Sequence, residues 1–144
     1  MRAIYPMLIL ILSSAILPIH VYGDSVELLK ADKSWNGGSF AYPQGEPEIT
    51  SKLLRLNVGD DIPFHCHPVP TFGYVLEGTI RVKLKTGEMA EFSKGQSLVE
   101  VFKTLHKGEA VGGPVEVLVF YAGAKGLENT FKEGHAACIA GISN

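Results

Sequence analysis

Cysteine is scarce in this chain: Cys66 and Cys138 are the only two in 144 residues. A supply this sparse excludes a disulfide framework, so a hydrophobic core must hold the fold. One bridge between the two is open, but nothing in the sequence brings them together. An excess of charge is also lacking. Thirteen Lys and Arg against 15 Asp and Glu give a net charge of −2, scattered along the chain. That balance leaves no electrostatic footprint for nucleic acid or for a membrane surface. There is no internal repeat, no low-complexity segment, and no stretch after the first two dozen residues that keeps a helical period. A length of 144 residues suits one domain with a real core.

Long apolar runs are missing too, with one exception. Met7 to Ile19 (MLILILSSAILPI) is almost wholly apolar, and Arg2 is the only charged residue before Asp24. Val21-Tyr22-Gly23 then places small residues where a signal peptidase reads them. The run is too short to span a bilayer comfortably, and no cysteine follows it to carry a lipid. Residues 1–23 are therefore expected to be a secretory signal peptide, leaving a secreted or periplasmic protein with no stable membrane anchor after cleavage. Loss of Arg2 leaves 12 Lys and Arg (13 minus Arg2) against 15 Asp and Glu, a net charge of −3.

Residues 24–49 read as an N-terminal arm, rich in Gly, Pro and small polar residues from Ala31 onward, with Trp35 and Tyr42 available to pack over the main body. After it come short β-type runs broken by turn residues: 54–58, 71–76, 79–85, 88–92, 97–102, 105–109 and 115–121. Thr79 to Lys85 alternates strictly and stops at Thr86-Gly87. Short strands at regular spacing predict an all-β sandwich or barrel over residues 50–122. Residues 123–144, glycine- and alanine-rich, form a tail that is either a short helix or a loose strap. Arg81, Lys83 and Lys85 share one strand face and read as a solvated stripe.

The chemistry lies in GDDIPFHCHPVPTFGYVLEG, from Gly59 to Gly78. On a strand, successive side chains point to opposite faces, so His65 and His67 share a face and Cys66 points away. His106, on a later strand, supplies a third imidazole. Cys66 itself reads as a small buried apolar side chain. His135 reads as an exposed tail residue, and His20 belongs to the leader.

Gly59, His65, His67 and Gly78, followed in order by Gly87, Gly95 and His106, resemble the two motifs of the cupin superfamily across roughly residues 50–122. The resemblance implies a single cupin β-barrel of jelly-roll type. It also implies a divalent transition metal held by three His and one Glu, and by itself a homodimer. The chain departs from the pattern at three positions. Thr71 stands where the motif glutamate belongs, Ser93 replaces a proline, and Ala110 replaces the terminal asparagine.

Three neutral imidazoles without that carboxylate leave a barer cation, a stronger Lewis acid with room for water or substrate. Imidazole alone does not choose among Fe, Zn, Ni and Cu. Thr71 would orient water or substrate. Glu100, a lone carboxylate in Leu98-Val99-Glu100-Val101-Phe102, is the expected substitute: a metal ligand, a partner to an imidazole N–H, or a general base. Small cupins without the first-motif glutamate that carry a Glu here are what this chain resembles. The expected function is that of a metal-dependent enzyme on a small molecule, of oxygenase, isomerase or lyase type. The other expectation is a non-catalytic cupin that binds a metal or a small ligand.

Overall fold

The structure, a computed structural model, describes residues 23–139. The expected signal peptide falls almost wholly outside that range, as does His20. Nine strands make up the described chain: β1 (Pro47–Leu56), β2 (His65–Cys66), β3 (Thr71–Glu77), β4 (Thr79–Leu84), β5 (Met89–Ser93), β6 (Ser97–Val99), β7 (His106–Ala110), β8 (Val115–Ala124) and β9 (Phe131–Lys132). No helix occurs among the described residues. The strands form two antiparallel sheets, ordered β1-β8-β3-β6 and β5-β4-β7-β2-β9.

Alternation decides which residues face the space between the sheets. On β4, Ile80, Val82 and Leu84 are buried while Arg81 and Lys83 look outward. Leu56, Val75, Ile80, Val115 and Val117 form the core cluster at one end, each buried side chain worth roughly 1.5–3 kcal/mol. Gly78 makes the sharp turn from β3 into β4 with φ +74°, and a Cβ there would meet the Pro114 carbonyl oxygen at 2.2 Å. Only glycine fits that position. The outward stripe carries ion pairs: Arg81 meets Glu91 at 2.6 Å and Glu109 at 3.9 Å, and Lys85 meets Glu133.

Several strand ends differ from expectation. β1 begins at Pro47, pairing in register with Ala124 of β8, so the last residues of the expected arm already belong to the barrel. β6 ends at Val99 instead of Phe102. The Glu100 N–H still donates to Thr71 O at 2.8 Å, but the chain then bends, with Lys103 at φ 54°. The arm lies on the barrel through the Trp35 N–H, which donates to Val99 O at 3.0 Å. Phe40 packs edge-on against Phe72, and Tyr42 packs against Phe40 while staying exposed.

The described part of the tail, to residue 139, is neither a helix nor loose. β9 pairs with β2, and Cys138 is bonded to Cys66 across 72 residues. Cys66 is fully buried, as expected, but the reading of it as a simple apolar side chain is overturned by that bond. Closing a loop of this length removes unfolded-state entropy worth roughly 4 kcal/mol.

Candidate metal centre

β2 and β7 are neighbours, and their register sets His65 opposite His106. His67 lies one residue beyond β2, held by a parallel bridge to Phe102. Strand alternation keeps it on the face of His65 and turns Cys66 to the other side. The ring centroids stand 5.0 Å apart for His65 and His67, 4.6 Å for His65 and His106, and 4.9 Å for His67 and His106. One nitrogen from each ring falls within 4.8 Å of the other two.

Backbone carbonyls choose which nitrogen that is. His65 Nδ1 lies 2.9 Å from Pro63 O, His67 Nδ1 2.9 Å from Asn129 O, and His106 Nδ1 2.8 Å from Thr104 O. A carbonyl only accepts, so each Nδ1 carries the proton and each Nε2 presents a lone pair. Burial, and for His65 and His67 the repulsion of the neighbouring rings, holds these two imidazoles below their ordinary range. Burial alone brings His106 down to about 4. All three are therefore neutral at pH 7.

Glu100 stands beside this cluster and outside the ring of converging nitrogens. Its Oε2 is 3.7 Å from His106 Nε2, too long for a hydrogen bond. Burial pushes its carboxyl up to about 7, against the pull of His65 and of the Val101 N–H. The Trp35 indole also lies close enough to draw it down a little, yet Trp35 Nε1 makes no well-formed hydrogen bond. Trp35 Nε1, Glu100 Oε2 and His106 Nε2 are the buried side-chain polar atoms without a partner among the described residues.

The unpartnered His106 Nε2, with the Nε2 atoms of His65 and His67 beside it, tests whether a metal fits. Three lone pairs aimed at one another repel unless something positive lies between them, and a buried acceptor without a donor is costly. Neutral imidazoles whose far nitrogens are pinned by carbonyls are the usual support of a transition metal. The donor set fits a divalent cation.

Thr71 is buried on the inward face of β3, but its hydroxyl donates to Val69 O at 3.0 Å. Its lone pairs alone remain for a ligand. Val75, on the same face of β3, belongs to the core cluster, and Gly73 is roofed by the Leu98 side chain. The histidines instead open onto a cavity of about 370 Å³. Its walls are chiefly apolar, from Leu53, Leu54, Ile62, Phe64, Ile80 and Val119, with Thr71, Glu100, Tyr121 and Thr130 interspersed and Lys52 and Lys132 bordering it. His135 stays apart, exposed and stacked on Phe131.

Five contributors carried no sequence signal. Asn129 acts through a backbone carbonyl, and Thr130 Oγ1 lies 3.2 Å from His67 Nδ1. Tyr121 sets its ring 5.3 Å from that of His67. Lys52 and Lys132 looked like ordinary surface lysines.

Residues 52–121 match the family model described as Cupin domain. Among solved structures the chain is similar to the DMSP lyase DddQ from Ruegeria pomeroyi, with 20% identity and a TM-score of 0.52 over 69% of this chain and 49% of that one. It is also similar to oxalate decarboxylase from Bacillus subtilis, with 21% identity and a TM-score of 0.51 over 59% of this chain and 24% of that one. The chain thus spans about half or less of the length of these solved chains. No curated protein matches its sequence. Two antiparallel sheets, the family match and these likenesses make the fold an all-β cupin barrel.

Proposed function

We propose that this cupin barrel is a metal-dependent enzyme acting on a small anionic molecule by proton transfer, the chemistry of lyases and isomerases. His65, His67 and His106 hold the divalent transition metal, and Glu100 moves the proton. The observation that carries the reading is the pairing of three convergent Nε2 atoms with a buried, unpartnered carboxyl 3.7 Å from one of them. When bound, the ion would supply Lewis acidity in the cavity beside Glu100.

The chain's own groups define the rest. A carboxyl poised near neutrality accepts and returns a proton with little driving force lost either way. Glu100 has that character, with a value of about 7 in the metal-free protein. Thr71, its own proton committed to Val69 O, offers an acceptor for a water or a substrate hydroxyl. Lys52 and Lys132 border the cavity without a carboxylate partner among the described residues. Lys52 Nζ lies 5.3 Å from the Tyr121 ring centroid, near enough to His67 to help depress it. Two lysines at the border and a cation at the base favour a ligand with a carboxylate, and the apolar walls favour a hydrocarbon body. A protein that merely sequesters metal has no need of Glu100.

Export and self-association belong to the same proposal. A disulfide beside the site suits an oxidising compartment. Ile49 and Leu53 on edge strand β1, with Phe120 of β8, leave an exposed apolar patch fit for a second copy.

The test is metal-loaded protein incubated in D2O with short-chain carboxylates and followed by proton NMR. Carbon-bound deuterium or product formation, lost at least 100-fold in Glu100→Gln with metal retained, is expected. Metal and carboxylate binding without exchange or turnover supports the non-catalytic reading instead.

A further inference from the structure

Cys66 stands between His65 and His67, facing away from the cluster, and its bond to Cys138 fastens the tail beneath the site. The fastened segment touches the supports of both histidine-bearing stretches. Asn129 O accepts the Nδ1 proton of His67 at 2.9 Å, and Thr130 Oγ1 lies 3.2 Å from the same nitrogen. Phe131 pairs with Cys66 and Lys132 with His65. Farther along, the Ile139 N–H donates to Lys103 O at 2.7 Å and the Leu105 N–H donates to Ile139 O at 3.0 Å. Those two bonds bracket Thr104, whose carbonyl takes the Nδ1 proton of His106.

Besides those backbone bonds, and one from the Glu133 N–H to Phe64 O at 3.2 Å, the noncovalent hold on this segment is thin. β9 has two residues, and Lys132, Glu133, Gly134, His135 and Ala136 are exposed. The Lys85–Glu133 pair lies at the surface, where an ion pair contributes little. Asn129 Nδ2 donates to Thr50 Oγ1 at 2.9 Å, a further side-chain tie to the barrel. The covalent bond is the one strong attachment.

We infer that residues 129–139 are a latch, that Asn129 and Thr130 are positioning residues for His67, and that the Cys66–Cys138 disulfide keeps them there. The site is then assembled for a cation in the oxidised protein and loosened in the reduced one. Opening the latch takes two electrons and two protons from an external dithiol, which leaves as its own disulfide while Cys66 and Cys138 become thiols. Without Asn129 O, His67 loses the acceptor that fixes its tautomer, and its ring no longer presents Nε2 alone. The inference rests on the metal reading only for its consequence, because positioning of the ring is a property of the metal-free chain.

The experiment is nitrogen-15 NMR of the imidazoles in metal-free protein at pH 8, with the disulfide intact, after reduction, and in Cys138→Ala. The oxidised protein should show His67 as a single Nδ1–H tautomer. Reduction and Cys138→Ala should both move its two nitrogen shifts toward the averaged values of a free imidazole. His65, whose carbonyl partner Pro63 is local, should keep its tautomer and so reports that the barrel is folded. Zinc affinity by calorimetry should fall at least tenfold in Cys138→Ala, a variant that leaves only the buried Cys66 thiol, which faces away from the three imidazoles. A His67 tautomer that is the same in all three forms overturns the latch. If His67 responds as described while the oxidised protein binds no zinc, the latch stands and the metal reading falls.

Discussion

His65 and His106 face each other across two neighbouring antiparallel strands, with ring centroids 4.6 Å apart. Each ring turns its Nδ1 back onto the carbonyl two residues before it, Pro63 for one and Thr104 for the other. Two residues distant in sequence thus adopt the same local geometry and aim their free nitrogens at one point. His67 completes the set from the same face of the chain as His65, and a one-residue slip of β2 would turn both away from His106.

The packing of three neutral imidazoles makes the metal-free protein acid-sensitive. His106 is lowered to about 4, and His65 and His67 are also lowered. A depressed value means that the unfolded chain binds more protons, so the contribution is present above about 6.5 and is lost as pH falls toward 4. Urea unfolding of metal-free protein should show a midpoint that declines from pH 6.5 to pH 4.5. A flat midpoint over that range contradicts the burial of the three rings.

Glu100 works in the opposite sense. Its carboxyl is raised from 4.5 to about 7, so its contribution is present below 4.5 and is lost as pH rises through 7. The size of the effect is on the order of 3 kcal/mol. In the wild type this contribution opposes that of the three imidazoles between pH 4.5 and pH 7, so Glu100→Gln should steepen the rise of the unfolding midpoint over that range, measured in the same series. A slope the same in the variant as in the wild type places the titrating group elsewhere.

Two glycines test the packing that frames the site. At Gly78 a Cβ meets backbone at 2.2 Å with φ +74°, whereas at Gly73 it meets the Leu98 side chain at 2.6 Å. Gly78→Ala should destabilise by roughly 2 kcal/mol or more. Gly73→Ala should cost less, because Leu98 can shift. Denaturant midpoints compare the two, and the reverse order would contradict the turn geometry.

Lys52 and Lys132 should govern the ligand and not the metal. Lys52→Gln and Lys132→Gln are each expected to weaken binding of a short-chain carboxylate about tenfold, with the effect shrinking at high salt. Metal content should be unchanged. Calorimetry at two ionic strengths checks this, and equal affinity for the carboxylate and its amide would remove the lysines from recognition.

Much of this was legible in the sequence because it follows from local periodicity. Alternation alone placed His65 and His67 on one face and turned Cys66 away. The spacing to His106 and the lone Glu100 pointed to the site, which the fold brings to within 4 Å of contact between those two. What stayed hidden acts through backbone atoms or over long separations. Asn129 contributes a carbonyl that any residue carries, 62 positions from His67. A two-residue β9 has too little pattern to stand out, and the Cys66–Cys138 bond depends on where the tail comes to rest. The arm read as irregular carries Trp35 to Glu100, since one indole in a Gly-rich segment does not announce its partner.

The central claim is that His65, His67 and His106 hold a divalent metal that Glu100 does not ligate. Elemental analysis of disulfide-bonded protein, beside His67→Ala and Glu100→Gln, tests it most directly. The expected result is one transition-metal ion per chain in the wild type and in Glu100→Gln, with loss of the metal in His67→Ala. Equal trace metal in all three proteins would contradict the claim, and metal lost from Glu100→Gln as well would put Glu100 among the ligands.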